Sequence, residues 1–270
     1  MRIAAAFALV FLCAGQLCAQ ARRFTPQNQI TDSPAGVLDP NGGAPAHSAT
    51  YASTPFSALS VPASQLHIPS KALKEFQRSE KAYHAGDLRA SADHLEKALQ
   101  IYPDFVYAHN MLGIRYAALG RYEDSLAEYQ RSLAIDPHAG ETYHNLAVVL
   151  FFMGRYGEAE EPARRAMELL PQEPATRYVL GCILVKSEKI TPEAVRLLTE
   201  SAAKFPNALL VLALVSWKQG HVEEVVADLR AYLQNPEPQN KQKIETWLAQ
   251  LTRESAAMRA VPSSPPPSLD

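Results

Sequence analysis

The fold of this chain is decided by one stretch, VYAHNMLGIRYAALGRYEDSLAEYQRSLAIDP, which runs from Val106 to Pro137. Its apolar residues recur at the spacing of two α-helices, each of about three to four turns. The two helices meet at Leu119-Gly120-Arg121, and Asp136-Pro137 ends the second. A helical hairpin of this size cannot bury its inner face alone, so the pattern predicts neighbours that pack against it.

Copies of this hairpin lie on both sides of it in the sequence. A turn glycine and a terminating proline recur together every 34 residues: Gly86, Gly120 and Gly154, and Pro103, Pro137 and Pro171. A period of this length is typical of a helical solenoid, in which each repeat buries the face that its neighbour leaves open.

The residues of the central hairpin resemble a known repeat. The pattern is His109-x2-Leu112-Gly113-x2-Tyr116, then Ser125-x3-Tyr129, then Pro137. It is similar to the tetratricopeptide repeat, with His109 where the family favours tryptophan and Ser125 in place of alanine. The resemblance covers about Ser70 to Leu233. It implies an all-α, right-handed α-solenoid of about five helical hairpins and a C-terminal capping helix.

The repeats divide the chain into units. They are expected at about 72–105, 106–139, 140–173, 174–205 and 206–234, with the capping helix at 235–259. In the fourth unit Glu188 replaces the turn glycine, and Thr191 and Pro192 are predicted to cap and open the next helix. Pro162, inside the second helix of the third unit, predicts a kink or a helix that restarts near Glu160.

The two ends of the chain have a different composition. Residues 1–21 read as an export signal, with Arg2 before the apolar run Ile3 to Leu12 and small residues at Ala19-Gln20-Ala21. We expect cleavage to leave a mature protein without a membrane span, in the periplasm or secreted from a bacterial cell. The alternative is a retained anchor, although Ile3 to Ala19 is short for a span. Residues 22–69, rich in Pro, Ala and Ser, predict a disordered spacer, and residues 260–270 predict a disordered tail.

Charge and composition argue against several functions. The formal net charge is −2, and the sequence contains no block of like charges. Nucleic acid is therefore not predicted as a partner. The histidines do not pair with another His or Cys at helical spacing, so no metal site is predicted. The sequence contains neither a phosphate-binding loop nor a nucleophile elbow, so neither a cofactor nor catalysis is predicted. We expect that the protein is not an enzyme. Cys182 would be the sole cysteine after signal cleavage, and a buried inert thiol is expected there.

The remaining candidate site is a groove. In a solenoid of helix pairs the first helix of each pair lines the concave side, so residues beside the core stripe form a continuous surface. Alignment of the copies places eight candidate groove residues on it: Tyr83, Tyr107, Asn110, Ile114, His144, Val148, Phe151 and Tyr178. Basic residues on this stripe are missing until Lys186 and Lys218, which disfavours a clamp for a terminal carboxylate. Aromatic anchors favour an apolar or amphipathic peptide. The other interpretation is that Phe151 and Phe152 pack between neighbouring helices.

Two hypotheses of function follow. The first is an exported, non-enzymatic interaction scaffold that holds a protein or peptide segment in the concave groove, which is what the resemblance implies. The second is a structural envelope component that self-associates end to end or through its last helix.

Overall fold

The computed structural model describes residues 68–236, 238 and 240–259, with side-chain surroundings described through residue 253. Over these residues the chain forms eleven α-helices and no strand. The predicted all-helical architecture is confirmed. The expected signal at 1–21, nearly all of the spacer at 22–69, and the tail at 260–270 lie outside the described residues.

The helices form five consecutive hairpins and a final single helix. Their bounds are α1 Ser70–His84, α2 Leu88–Ile101, α3 Val106–Ala118, α4 Tyr122–Ile135, α5 Gly140–Phe152, α6 Tyr156–Leu169, α7 Pro174–Lys186, α8 Pro192–Ser201, α9 Asn207–Gln219, α10 Val222–Leu233 and α11 Lys241–Arg259. Each helix packs against the helices before and after it in the chain. The first helices of successive hairpins also touch, α3 with α5, α5 with α7 and α7 with α9. We call α1, α3, α5, α7 and α9 the inner helices and their hairpin partners the outer helices.

The turns within the hairpins share one backbone geometry. Gly120 has φ +76°, its N–H donates to the carbonyl of Ala117, and the next N–H, of Arg121, donates to Tyr116. Glu188 repeats this geometry with φ +60° and a hydrogen bond of 3.1 Å from its N–H to Val185. The fourth hairpin therefore keeps the left-handed turn that glycine favours, with a side chain in place of glycine.

Small residues let the two helices of a hairpin approach closely. A Cβ built on Gly113 would lie 2.5 Å from the Tyr129 ring, and one on Gly181 would lie 2.8 Å from Leu198. In the first hairpin Ser79 occupies the position of Gly113, and its hydroxyl oxygen lies 2.9 Å from that of Ser91 on α2 in a buried hydrogen bond. The first hairpin thus replaces a glycine contact with a polar one.

Two further predictions concern the outer helices. Thr191 caps α8, because its side chain accepts a hydrogen bond from the Ala194 N–H and Pro192 is the first helical residue, as predicted. Helix α6 is continuous through Pro162, so the predicted restart near Glu160 is wrong, and the alternative, a kink at Pro162, stays a prediction. Pro162 is itself buried, and it supplies no backbone N–H to the helix.

The core is divided into two clusters. The larger extends from Phe76 in α1 to Val215 in α9. The smaller joins α9, α10 and α11 and includes Val225 and Ile244. Among the described residues, Leu209 is the side chain that packs against both clusters. The buried residues of α10 and α11 thus belong to the smaller cluster, while α9 contributes to both clusters.

Candidate peptide-binding groove

The candidate groove residues lie at helical spacing on the inner helices. Tyr107, Asn110 and Ile114 are separated by three and four residues on α3, which places them on one face. His144, Val148 and Phe151 follow the same spacing on α5. Because α3 contacts α5 and α5 contacts α7, these faces and Tyr178 of α7 form a row across the repeats.

Most of these side chains are already buried within the protein. Tyr83 and Tyr107 are partly exposed, whereas the other six are buried: Asn110, Ile114, His144, Val148, Phe151 and Tyr178. Val148 retains 2% of its surface and Tyr178 retains 1%. The row is therefore a packed apolar surface rather than a set of water-exposed side chains.

Tyr107 marks the N-terminal part of the row. Its ring centroid lies 5.5 Å from that of Phe76 on α1, so aromatic contact joins the first two hairpins. Burial, together with the nearby carboxylates of Glu141 and Glu80, raises the pKa of Tyr107 to about 12. The phenol stays neutral at physiological pH and can donate a hydrogen bond.

An amide pair joins the second and third hairpins. The Asn145 side-chain nitrogen donates to the Asn110 oxygen across 3.0 Å, and Asn110 retains 3% of its surface. A hydrogen bond between buried amides fixes both side chains because each would otherwise be left unsatisfied. The pair sets the orientation of α3 relative to α5 at the candidate groove.

His144 is the most unusual group in the row. It is buried, and neither of its ring nitrogens has a hydrogen-bond partner. Burial lowers the pKa of His144 to about 4, so the ring is neutral at physiological pH. A neutral, unpaired imidazole presents one donor and one acceptor to any polar group that reaches it.

The C-terminal part of the row is aromatic. The rings of Tyr178 and Phe205 are stacked with their centroids 5.0 Å apart and their planes parallel. Phe151 lies 5.2 Å from Tyr156 of the outer helix α6 and 6.2 Å from Phe152, measured between centroids. Phe151 therefore makes the contact between helices that was the second interpretation from sequence.

Sequence reasoning missed Arg115, the largest charged group in the interior. Its side chain retains 1% of its surface. Its guanidinium carbon lies 3.7 Å from the Tyr83 ring centroid, and Nε donates to Ser91 across 3.0 Å. A weaker contact of 3.2 Å reaches Glu80, while Nη1 has no hydrogen-bond partner.

A signal for Arg115 was present in the repeat itself. The equivalent positions one and two periods later carry Val149 and Ile183, so a charge replaces an apolar core residue. Burial lowers the pKa of Arg115, and Glu80 opposes this. The cation remains charged, and its contacts hold Tyr83 against the interface between the first two hairpins.

His109 has a structural role at the position where the resemblance expects tryptophan. Nδ1 lies 2.7 Å from a Glu128 carboxylate oxygen, and Nε2 lies 2.8 Å from the Pro103 carbonyl oxygen. Both ring nitrogens therefore have an oxygen within hydrogen-bond distance. His109 links α3 to α4 and to the preceding loop.

The part of the chain that the structure describes contains no group of three or more His, Cys, Asp or Glu side chains that could hold a metal ion. Cys182 is buried, as predicted. Within the same residues, no helix combines the length and apolar character that crossing a membrane requires.

The helical pairs, their period and their close glycine contacts define a class of protein, the helical-repeat solenoids. Residues 104–172 match the family model described as tetratricopeptide repeat. The chain is also 28% identical over 91 residues to the small glutamine-rich tetratricopeptide repeat-containing protein 2 of Mycosarcoma maydis. That match covers 34% of this chain and 26% of the relative, so the chain spans about a quarter of the curated relative it matches.

Solved structures of repeat proteins share the fold over most of the described residues. MamA from Desulfovibrio magneticus RS-1 superposes with a TM-score of 0.53 at 12% identity, over 71% of this chain and 98% of that one. A thermophilic TPR protein of Thermus thermophilus gives 0.51 at 17% identity, over 67% and 99%. Yeast Tom70 gives 0.57 at 15% identity, over 71% and 42%. The predicted solenoid is confirmed.

Proposed function

We propose that this protein is an exported, non-enzymatic scaffold that binds an apolar or amphipathic peptide segment along its inner helices. The observation that carries the proposal is the row formed by Tyr107, Ile114, Val148, Phe151 and Tyr178 across α3, α5 and α7. Aromatic anchors such as Tyr carry much of the binding energy at interfaces, and an apolar groove accepts the apolar face of an amphipathic segment. Asn110 and His144 add polar groups within the row, which can fix the direction of a bound segment.

Export is the second part of the proposal. It is supported by the sequence of residues 1–21, with an apolar run between Arg2 and the small residues at Ala19 and Ala21. Fractionation of a Gram-negative host that expresses the full chain, followed by N-terminal sequencing, tests it. A mature N-terminus at Gln20 or Arg22 in the periplasmic fraction supports export, and an unprocessed chain in the cytoplasm contradicts it.

The binding test uses two variants of the full chain. Tyr107→Ala combined with His144→Ala alters the candidate groove, and Tyr122→Ala combined with Met167→Ala removes partly buried side chains from the outer helices α4 and α6. Each is used as bait for the envelope fraction of the native host. We expect a partner that co-purifies with the unaltered chain and the outer-helix variant but is lost from the groove variant.

Circular dichroism of each bait controls for folding. If a folded groove variant retains every partner, the concave face is not the binding surface. If both variants lose the partner equally, the loss reflects general destabilisation, and the assignment to the groove fails.

Self-assembly is the alternative function, and the exposed surface of the outer helices is available for contacts between copies. Sedimentation velocity over a hundredfold range of concentration separates the two functions. A monomer at every concentration excludes self-assembly, whereas a concentration-dependent series of oligomers that persists in the groove variant favours it.

A further inference from the structure

Two of the inner helices, α3 and α7, are buried around their whole circumference over most of their length. Every residue from Ala108 to Ala117 on α3 is buried, and so is every residue from Tyr178 to Val185 on α7. The outer helix α4, by contrast, exposes Glu123, Asp124 and Gln130 on one side. A helix buried on all sides has cover on all sides.

The described neighbours cover the inner helices on three sides. Helix α5 packs against the outer helices α4 and α6 and, with fewer contacts, against the inner helices α3 and α7. In a solenoid the outer helices lie behind an inner helix and the adjacent inner helices flank it. The concave side, which His144 and Val148 are predicted to line, is the side left to a different occupant.

The sequence immediately before the array has the composition that such a surface requires. Residues 40–70 contain no Asp, Glu, Lys or Arg, so the stretch enters an apolar site without the cost of burying a charge. Apolar anchors are spaced along it: Tyr51, Phe56, Leu59, Val61 and Leu66. Its prolines, Pro45, Pro55 and Pro62, favour an extended backbone.

The position and the length of residues 40–67 also suit binding to the concave face. The described chain begins at Ile68, which is partly buried and packs against the main core at the start of α1. Residues 40–67 extended at about 3.3 Å per residue reach roughly 90 Å. Five inner helices at about 10 Å spacing occupy roughly 40 Å. The segment is long enough to cross the whole concave face from its attachment point.

We propose that residues 40–67 bind in the concave face of their own repeat array and compete with an external partner for it. This inference rests on the proposed function, because it assigns an internal competitor to the same groove. A tethered segment has a high effective concentration at the groove. An external peptide can bind only while the segment is out of the groove, so its apparent Kd equals the intrinsic Kd divided by the fraction of molecules whose groove is open.

The test uses the full chain and one probe, a fluorescein-labelled synthetic peptide of residues 40–67. The release variant carries Phe56→Asp, Leu59→Asp and Val61→Asp, which place three charges in the proposed anchors. The matched control carries Phe24→Asp, Ile30→Asp and Leu38→Asp, which add the same charge outside residues 40–67. Fluorescence anisotropy measures the Kd of the probe for the unaltered chain, the release variant and the control.

We expect the release variant to bind the probe at least tenfold more tightly than the unaltered chain and the control, which corresponds to a groove at least nine-tenths occupied by its own segment. Adding Tyr107→Ala and His144→Ala to the release variant should remove the gain. Equal binding by all three proteins would mean an open groove, which overturns this inference and leaves the proposed function standing. Absence of binding to all three would show that residues 40–67 are not a ligand of the groove, which overturns this inference, whereas the co-purification test alone decides the proposed function.

Discussion

Asn145 donates a hydrogen bond to Asn110 across 3.0 Å, and both amides are buried between the second and third hairpins. The two residues lie 35 positions apart, one more than the repeat period, so the bond is formed between adjacent repeats and not within one. A polar pair inside an apolar row ties the relative position of two inner helices to a specific contact.

Removal of one member of this pair should cost more than removal of both. Asn145→Leu leaves the Asn110 oxygen buried without a donor, and we expect a loss of about 1–3 kcal/mol in the free energy of unfolding. Asn110→Leu combined with Asn145→Leu should recover part of that loss, since no polar group is then stranded. Urea denaturation of the two single variants and the double variant measures the coupling. Additive losses would show that the amides stabilise the protein independently.

The buried His144 should make stability depend on pH. Its pKa is lowered from 6.5 to about 4 in the folded protein, so between these values the unfolded chain binds more protons at this site. Stability should therefore fall as the pH decreases through that window, by an amount on the order of 3 kcal/mol. His144→Phe should lose this contribution, whereas His138→Phe, at a site 76% exposed in its side chain, should retain it. Unfolding free energies between pH 4 and pH 7 measure the difference. Parallel curves for His144→Phe and the unaltered chain would contradict the assignment.

The turn at Glu188 offers a stabilising substitution. Its φ of +60° is unfavourable for a residue with a Cβ, so Glu188→Gly should raise the free energy of unfolding by about 1 kcal/mol after the entropy of the unfolded glycine is counted. Glu188→Ala keeps the strained backbone and should give no such gain. Thermal melts of both variants provide the measurement. Equal gains would attribute the effect to loss of the carboxylate rather than to the backbone.

The contact of Gly113 with Tyr129 predicts a destabilising substitution. A methyl group at Gly113 would lie 2.5 Å from the Tyr129 ring, which is fully buried in the core, so Gly113→Ala should cost about 1–3 kcal/mol through overpacking. Gly157 on α6 has nothing within 4 Å of a built Cβ. Gly157→Ala should therefore stabilise the protein by about 0.5–1 kcal/mol, because alanine favours the helix. Opposite shifts in the urea midpoint are expected, and a neutral Gly113→Ala would show that the hairpin can open to accept the methyl group.

The fold could be predicted from the sequence because the same helix and turn signals recur in successive repeats. The 34-residue spacing of turns and prolines, the small residues at Gly113 and Gly181, and the cap at Thr191 each depend on neighbours close in the chain. The spacing of Tyr107, Asn110 and Ile114 also placed them on one face of α3.

The environments of individual side chains were harder to predict from the sequence. The unpaired nitrogens of His144 depend on the side chains that adjacent repeats place around it. Arg115 depends on Ser91 and Tyr83 from the preceding hairpin. These contacts join repeats whose sequences have diverged. The 34-residue period identifies the positions that the repeats share, and it does not predict contacts between residues that differ from one repeat to the next.

The division of the core at Leu209 has a consequence for how the molecule opens. Since α10 and α11 pack on the smaller cluster, local melting of these two helices disrupts few contacts of the N-terminal hairpins. Amide protons of α10 and α11 should therefore exchange with deuterium well before those of α3 and α5. Helices α10 and α11 would then form a foldon that unfolds locally while the central repeats keep their shape.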